Sequence, residues 1–409
     1  MAESDEAGSR AAHLTVDELA ALVGDTPDRI RQLTERGVIA PDPGGRYAPA
    51  DAHRVRIVDG FEAGGVPLEV LLRAQEAGLV SVAHYGELHP PPGPVSSRTY
   101  ESFTEGLGAA GSTLPSLFAA FGIAEPESAA HLSLADEAFL AQIVTLVGQT
   151  GHPDLMLRII RQFGESTRRA SVAALESYAE VIERLGPAAF GVPSPEVFDR
   201  DFRPWARVAI ALPAVAKWLA SKHMSREIDE YSIASTEQLL EHSGFVPAGS
   251  GRDPAVAFVD LAGFTALAQE RGDTAAADVA IRLGELAATT ALAHAGRVVK
   301  LLGDGVLMRF TDTVAAVEAT LDVLDQLHTQ RLPPGHAGVT EGPIVGRDGD
   351  VFGRTVNLAA RISDAAPGGS LYVTAATAEA LAGRFVVEPI GEIALVGVGT
   401  VGLARVTRR

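Results

Sequence analysis

The chain is 409 residues long, 46% hydrophobic and 21% charged, with no cysteine and a formal charge of −18. This is a globular composition, long enough for two or three cores; it excludes disulfides and thiolate metal sites, and its charge opposes general binding to polyanions. The first twelve residues lack the apolar core of a signal peptide, and the longest apolar run, Val208–Ala216, contains Pro213 and is too short to span a bilayer, so the reading is a soluble, cytoplasmic protein with a disordered tail over residues 1–12.

Residues 13–95 read as a helical module. Thr15-Val16-Asp17-Glu18 has capping-box spacing, and Leu14, Leu19, Leu22 and Val23 continue as an apolar stripe. Thr26-Pro27 opens a second helix that Gly37 ends, and Ala52–Ala63 and Pro67–Leu79 read as two more. The phrases LTVDELAALVG, DRIRQLTERGVIAP and GGRYAPADAHRVRIVDGFEAGGVPLEVLL resemble a MerR-type winged helix-turn-helix. That resemblance implies a second helix that enters a DNA major groove. Charge argues against DNA: from His13 to Val80 there are seven Arg and no Lys against eleven Asp and Glu, a net of −4. Asp28 and Glu35 also stand beside Arg29, Arg31 and Arg36 on the reading helix.

Residues 96–245 read as an all-α unit beyond the linker at His89–Pro94. Ala138–Val147, Asp154–Phe163, Ser171–Leu185 and Val208–Ala220 carry helix-period apolar spacing, and a last helix runs from about Arg226 to His242. It leads through Val246–Asp253 into the next domain, a short connection able to transmit movement. His84, His89, His131, His152, His223 and His242 lie in or near this region, and histidine is the side chain whose ordinary pKa falls where a proton signal would act.

Residues 246–409 alternate strand and helix. The order is a strand at Ala255–Asp260, a turn at Leu261–Thr265, a helix at Thr274–His294 and a hairpin of Arg297–Leu302 with Val306–Phe310. Next come a helix at Val314–Leu327, strands around His336–Gly346, a helix at Thr355–Ala366 and a strand at Ser370–Val373. This alternation predicts an α+β sandwich with a mixed sheet. One buried strand ends at Asp260, and a hairpin carries Asp304 at its Gly303-Asp304-Gly305 tip. A carboxylate beside buried strands needs a partner or a cation, so two at strand-to-turn junctions point to a shared divalent metal.

The stretches AFVDLAGFT, VVKLLGDGVLMRF and GDVFGRTVNLAARI resemble the class III nucleotide cyclases of actinobacterial type, over essentially all of this domain. The resemblance implies a multi-domain protein: an all-α N-terminal regulatory region followed by an α+β ferredoxin-like cyclase domain. It implies an adenylate cyclase that converts ATP to 3′,5′-cyclic AMP and pyrophosphate. By the same carry-over Asp260 and Asp304, with the Leu261 carbonyl, hold two divalent cations per site, Mg or Mn. Gly263, Phe264 and Thr265 lie in the loop whose amides cradle the triphosphate. Lys300 and Asp350 read the adenine edge; Asn357 takes the ribose and Arg361 the charge at the α-phosphate. Family geometry divides these residues between two protomers, so a homodimer builds two shared sites. A helical half upstream of such a domain implies a regulator, with a proton, a lipid or another small molecule as signal.

The sequence departs from the family at one place. Val396 stands where a Lys or Arg is expected to meet the terminal phosphates, and Arg347 or Arg354 are the candidate substitutes. The competing reading is a DNA-binding regulator whose cyclase-like domain senses nucleotide.

Overall fold

Capping and apolar spacing set the N-terminal elements. Helix α1 (Val16–Val23) starts at Thr15, whose hydroxyl accepts from the Glu18 amide while the Glu18 carboxylate accepts from the Thr15 amide. Helix α2 (Pro27–Glu35) has Thr26 as its cap and Pro27 at its first position. With α3 (Asp51–Ala63) and α4 (Leu68–Glu76) these helices close one core around Leu19, Ile30, Leu33, Val55, Val58 and Leu71. The computed structural model describes residues 13–77, 93–185, 200, 203–247 and 253–409, so His84, His89 and most of the proline-rich linker lie outside the described residues. The chain divides into two compact units, Met1–Arg226 and Glu227–Arg409.

A second core in the first unit gathers Tyr100, Phe103, Leu117, Phe118, Leu140 and Val144. It is built by α5 (Tyr100–Gly106), α6 (Leu114–Phe121), α7 (Leu134–Gln149) and α8 (Pro153–Leu185). The expectation of an all-α region is modified by a small sheet, in which β1 (Val95–Thr99) pairs antiparallel with β2 (His131–Ser133). Two pairs of expected helices are each one continuous helix. Helix α8 is 33 residues long, and α9 (Arg203–His242) is 40 residues long with Pro213 inside it. A proline frees the carbonyl four residues earlier, and here that residue, Ala209, is exposed to water.

The second unit holds a seven-stranded sheet in the order β10-β11-β9-β6-β3-β5-β4. Its strands are β3 (Ala255–Leu261), β4 (Arg297–Leu301), β5 (Gly305–Phe310), β6 (Gly335–Glu341), β9 (Leu371–Thr374), β10 (Val386–Leu395) and β11 (Gly399–Thr407). Every pairing is antiparallel except β6 with β9. Side chains alternate across β3. Ala255, Ala257 and Val259 join one core with α11 (Asp273–Ala293) and α12 (Thr313–Thr329), whereas Val256 joins another with Ala359 of α13 (Arg354–Ala365). Helix α14 (Ala375–Leu381) and the hairpin of β7 (Val345–Arg347) with β8 (Asp350–Phe352) complete the unit.

Three local features differ from the sequence reading. The expected turn over Leu261–Thr265 is shorter, because Gly263 takes a left-handed conformation (φ 75°) and α10 (Phe264–Arg271) begins directly after it. The strand region His336–Gly346 is two strands, β6 and β7, separated at Gly342-Pro343. The elements in chain order extend beyond the strand at Ser370–Val373 to the β10–β11 hairpin, whose alternation is broken by a bulge between Pro389 and Gly391.

Strand β6 and helix α13 approach at backbone distance. A Cβ on Gly338 would meet the Ala359 carbonyl oxygen at 2.2 Å and the Ser363 nitrogen at 2.6 Å, so only glycine fits. Gly338→Ala is expected to cost roughly 1–3 kcal/mol, as overpacking does, read as a lower urea midpoint for the second unit. Gly346→Ala, where nothing lies within 4 Å, serves as the neutral control.

Candidate active site

The end of β3 brings the two candidate metal carboxylates together. Asp260 lies opposite Gly305 of β5 and opposite His336 of β6 in the sheet register. The β4–β5 turn closes through the Leu302 amide, which donates to the Gly305 carbonyl at 2.7 Å, and the Leu261 amide donates to the Asp304 carbonyl at 3.0 Å. The hairpin tip is thereby pinned against the end of β3, with Asp304 beside Asp260. Gly305 leaves this carboxylate its place: a Cβ would come within 2.8 Å of Asp260 Oδ1 and displace it.

The electrostatics follow from this crowding. Burial raises the Asp260 pKa above its usual value, and the Asp304 charge raises it further; His336 opposes the shift and Asp364 adds to it. Two carboxylates that repel each other at a half-buried strand end, with the Leu261 backbone beside them, form an oxygen-rich site suited to a hard divalent cation. The donor set fits such a metal.

Gly263 reverses the chain so that α10 starts at Phe264. Phe264 packs its ring against the main core, while Thr265 is exposed in the first turn. The first amides of α10 have no acceptor within the helix, and they carry its positive end. Leu261, Gly263, Phe264 and Thr265 therefore form a short loop that opens beside Asp260.

Lys300 and Asp350 meet directly. Lys300 of β4 donates from Nζ to Asp350 Oδ2 of β8 at 2.6 Å, and its ammonium lies 5.7 Å from the centroid of the Phe352 ring. Burial raises the Asp350 pKa, but the hydrogen bond from Lys300, the Val351 amide and the Lys300 charge outweigh it and hold the carboxyl below its usual value. Asn357 and Arg361 project from the exposed side of α13, four residues apart, opposite the buried Thr355, Ala359 and Ile362. Arg361 is paired with Asp364 at 2.6 Å. Among the described residues no hydrogen bond or ion pair joins Asn357 or Arg361 to the Lys300–Asp350 pair.

Other sequence candidates are placed less centrally. Val396 is 82% exposed in the β10–β11 turn, and Arg347 and Arg354 are also exposed. His152, His223 and His242 face solvent, and the His131 ring nitrogen donates to the Ser96 carbonyl at 3.0 Å. A cavity of about 940 Å³ lies in the first unit, lined in part by His53, Arg56, His131 and Asp136. The arginines of α2 are engaged with acids: Arg29 with Asp59 and Glu62, Arg31 with Asp28, and Arg36 with Glu69.

Sequence reasoning missed three groups. His336 and Gly305 flank Asp260 only through strand register, which no local pattern encodes. The third is the acidic pair at the end of α9, Glu227 and Glu230, which holds Arg297 of β4. Its signal, two acids three apart on a helix, is too common to select.

Because Asp260 titrates above its usual value, its charge opposes folding once the pH exceeds that folded pKa, and the penalty vanishes below the ordinary carboxylate pKa. Asp260→Asn is therefore expected to raise the melting temperature at neutral pH in the presence of a chelator. The gain should fade as the pH falls toward the ordinary Asp range, and equal stability at neutral pH would contradict the crowding.

No protein-family model matches the chain. An adenylate cyclase of Streptomyces coelicolor is 29% identical over 264 residues, which is 64% of this chain and 66% of the relative. A pH-sensitive adenylate cyclase of Mycobacterium tuberculosis is 25% identical over 258 residues, covering 63% of this chain and 62% of the relative. The chain thus spans slightly under two thirds of the length of these relatives. The solved adenylyl cyclase CyaB from P. aeruginosa matches 39% of this chain and 95% of its own at 24% identity, with a TM-score of 0.36.

Proposed function

We propose that the chain is a metal-dependent adenylate cyclase that forms 3′,5′-cyclic AMP and pyrophosphate from ATP. The observation that carries this reading is a pair of polar clusters in the second unit: crowded Asp260 and Asp304, and the preformed Lys300–Asp350 ion pair. The relatives named adenylate cyclase support the same activity.

The reaction asks for in-line attack of the ribose 3′-hydroxyl on the α-phosphorus, so positioning and charge stabilisation carry the catalysis. Asp260, Asp304 and the Leu261 carbonyl would hold two divalent cations, Mg or Mn, which when bound favour the deprotonated hydroxyl and neutralise phosphate charge. The α10 amides after Gly263 receive the phosphates. Asn357 orients the ribose, and Arg361, released from a half-exposed ion pair of small worth, meets charge that develops at the α-phosphate.

Base choice follows from donor and acceptor order. Adenine presents the N1 acceptor beside the N6 amine donor, and Lys300 donates next to the accepting Asp350. Guanine presents the reverse order and would leave both side chains unmatched. From the resemblance to the class III cyclases, we assign the complete site to a homodimer in which each protomer completes the other.

Regulation is assigned to the helical half, with a proton or small molecule as signal; the cavity near Arg56 and His131 supports the latter. The end of α9 holds Arg297 through Glu227 and Glu230, three residues before Lys300 on the same strand. Displacement of that helix end would reach the base-reading strand. DNA binding is disfavoured, because the α2 arginines are neutralised by acids of their own module. Among the described residues no helix is long and apolar enough to cross a membrane.

Asp304→Ala is expected to abolish cyclic AMP formation with little loss of thermal stability, and full activity would remove the metal assignment. Lys300→Glu should shift the ratio of ATP to GTP turnover toward GTP; an unchanged ratio would refute the base reading. Reversing Glu227 and Glu230 to Lys should alter specific activity severalfold, and unchanged activity would separate the helix end from catalysis.

A further inference from the structure

His336 faces Asp260 across the β3–β6 register and is only 16% exposed. Its Nδ1 lies 2.7 Å from the Ser363 carbonyl oxygen. A carbonyl only accepts, so Nδ1 carries the hydrogen and donates it. A protonated ring would pair with Asp260 across the 3.5 Å between Nε2 and Oδ2, whereas in the neutral ring, the form that binds a metal, this tautomer leaves Nε2 with a bare lone pair at that distance. That spacing exceeds hydrogen-bond range, and two acceptors share no hydrogen in any case. Two donors bound side by side to one cation at about 2.1 Å each stand about 3.0–3.4 Å apart, so this spacing nearly fits a common ion. An imidazole anchored through Nδ1–H to a backbone carbonyl, with Nε2 free, is also the usual arrangement of a metal-ligating histidine.

We infer that His336 supplies its Nε2 to the divalent cation held by Asp260, making the centre Asp–Asp–His with a backbone carbonyl rather than an oxygen-only site. The inference rests on the metal reading of Asp260 proposed above. Among the described residues no three His, Asp or Glu side chains already surround one point, so loading would draw Asp304 in from its hairpin tip. Gly305, without a side chain, leaves the flank of Asp260 opposite His336 open for that approach. A nitrogen donor favours a transition metal over Mg2+, which prefers an all-oxygen octahedron. The site should therefore hold Mn2+ more tightly than Mg2+ even without nucleotide. His336 further ties this centre to α13, since its carbonyl partner Ser363 lies two residues beyond Arg361.

The test is pulsed electron paramagnetic resonance of Mn2+ bound to the untagged full chain, without nucleotide, beside His336→Gln and Asp260→Ala. The wild-type chain should show a coupled imidazole 14N that becomes 15N on histidine labelling. His336→Gln should keep an Asp260-dependent Mn2+ site without that coupling, with a severalfold weaker Kd for Mn2+ and little change for Mg2+. Mn2+ bound in an Asp260-dependent way, with no nitrogen coupling in the labelled wild-type chain, overturns the inference and leaves the metal reading intact. Mn2+ binding that is absent, or indifferent to Asp260→Ala, removes both. The labelled wild-type spectrum decides the matter even if a variant fails to fold.

Discussion

The second unit is arranged around a carboxylate that its own fold disfavours. Asp260 ends the central strand β3, flanked by β5 and β6, where burial and the neighbouring Asp304 both oppose its charge. Nothing in the sheet needs a charge there, and an apolar residue would extend the face that Val256 and Phe258 present to the smaller core. Around this point the chain concedes side chains rather than adding them. Gly305 makes room beside the carboxylate, and Gly338 lets α13 settle onto β6. A destabilising charge kept at the end of the best-buried strand pair is the pattern of a site held for chemistry.

The rest of the site divides by rigidity. Asp260 and Lys300 sit on paired strands, and Asp304 is pinned to β3 through its carbonyl. Asn357 and Arg361 stand on the exposed side of a helix whose other side is packed without slack. Side chains on strands and helices are placed more accurately than those on loops. Arg361, to which the proposed reaction gives the developing charge, is held by an exposed ion pair, a restraint easily exchanged for phosphate.

Much of this was legible in residue order. The Thr15–Glu18 capping box, the Gly303-Asp304-Gly305 tip and the four-residue step from Asn357 to Arg361 are local signals, and each corresponds to the local structure observed. What escaped was nonlocal or permissive. His336 meets Asp260 through register alone, and Arg297 meets Glu227 and Glu230 across roughly seventy residues. Helix α8 reads as fragments because Gly164 resembles a break, and α9 because the polar stretch around Lys222 and His223 interrupts its apolar spacing, yet each is one continuous helix. Composition argues against a nucleic-acid face on α2, and the reason is nonlocal as well: Arg29 pairs with Asp59 and Glu62 of α3, and Arg36, just past the end of α2, with Glu69 of α4.

The most direct test of the account is product analysis: the purified full chain incubated with Mn2+ and either ATP or GTP, with cyclic nucleotide and pyrophosphate quantified together. The account predicts equimolar cyclic AMP and pyrophosphate from ATP, with far less cyclic product from GTP. ATP bound without turnover, or released as ADP and phosphate, would contradict it.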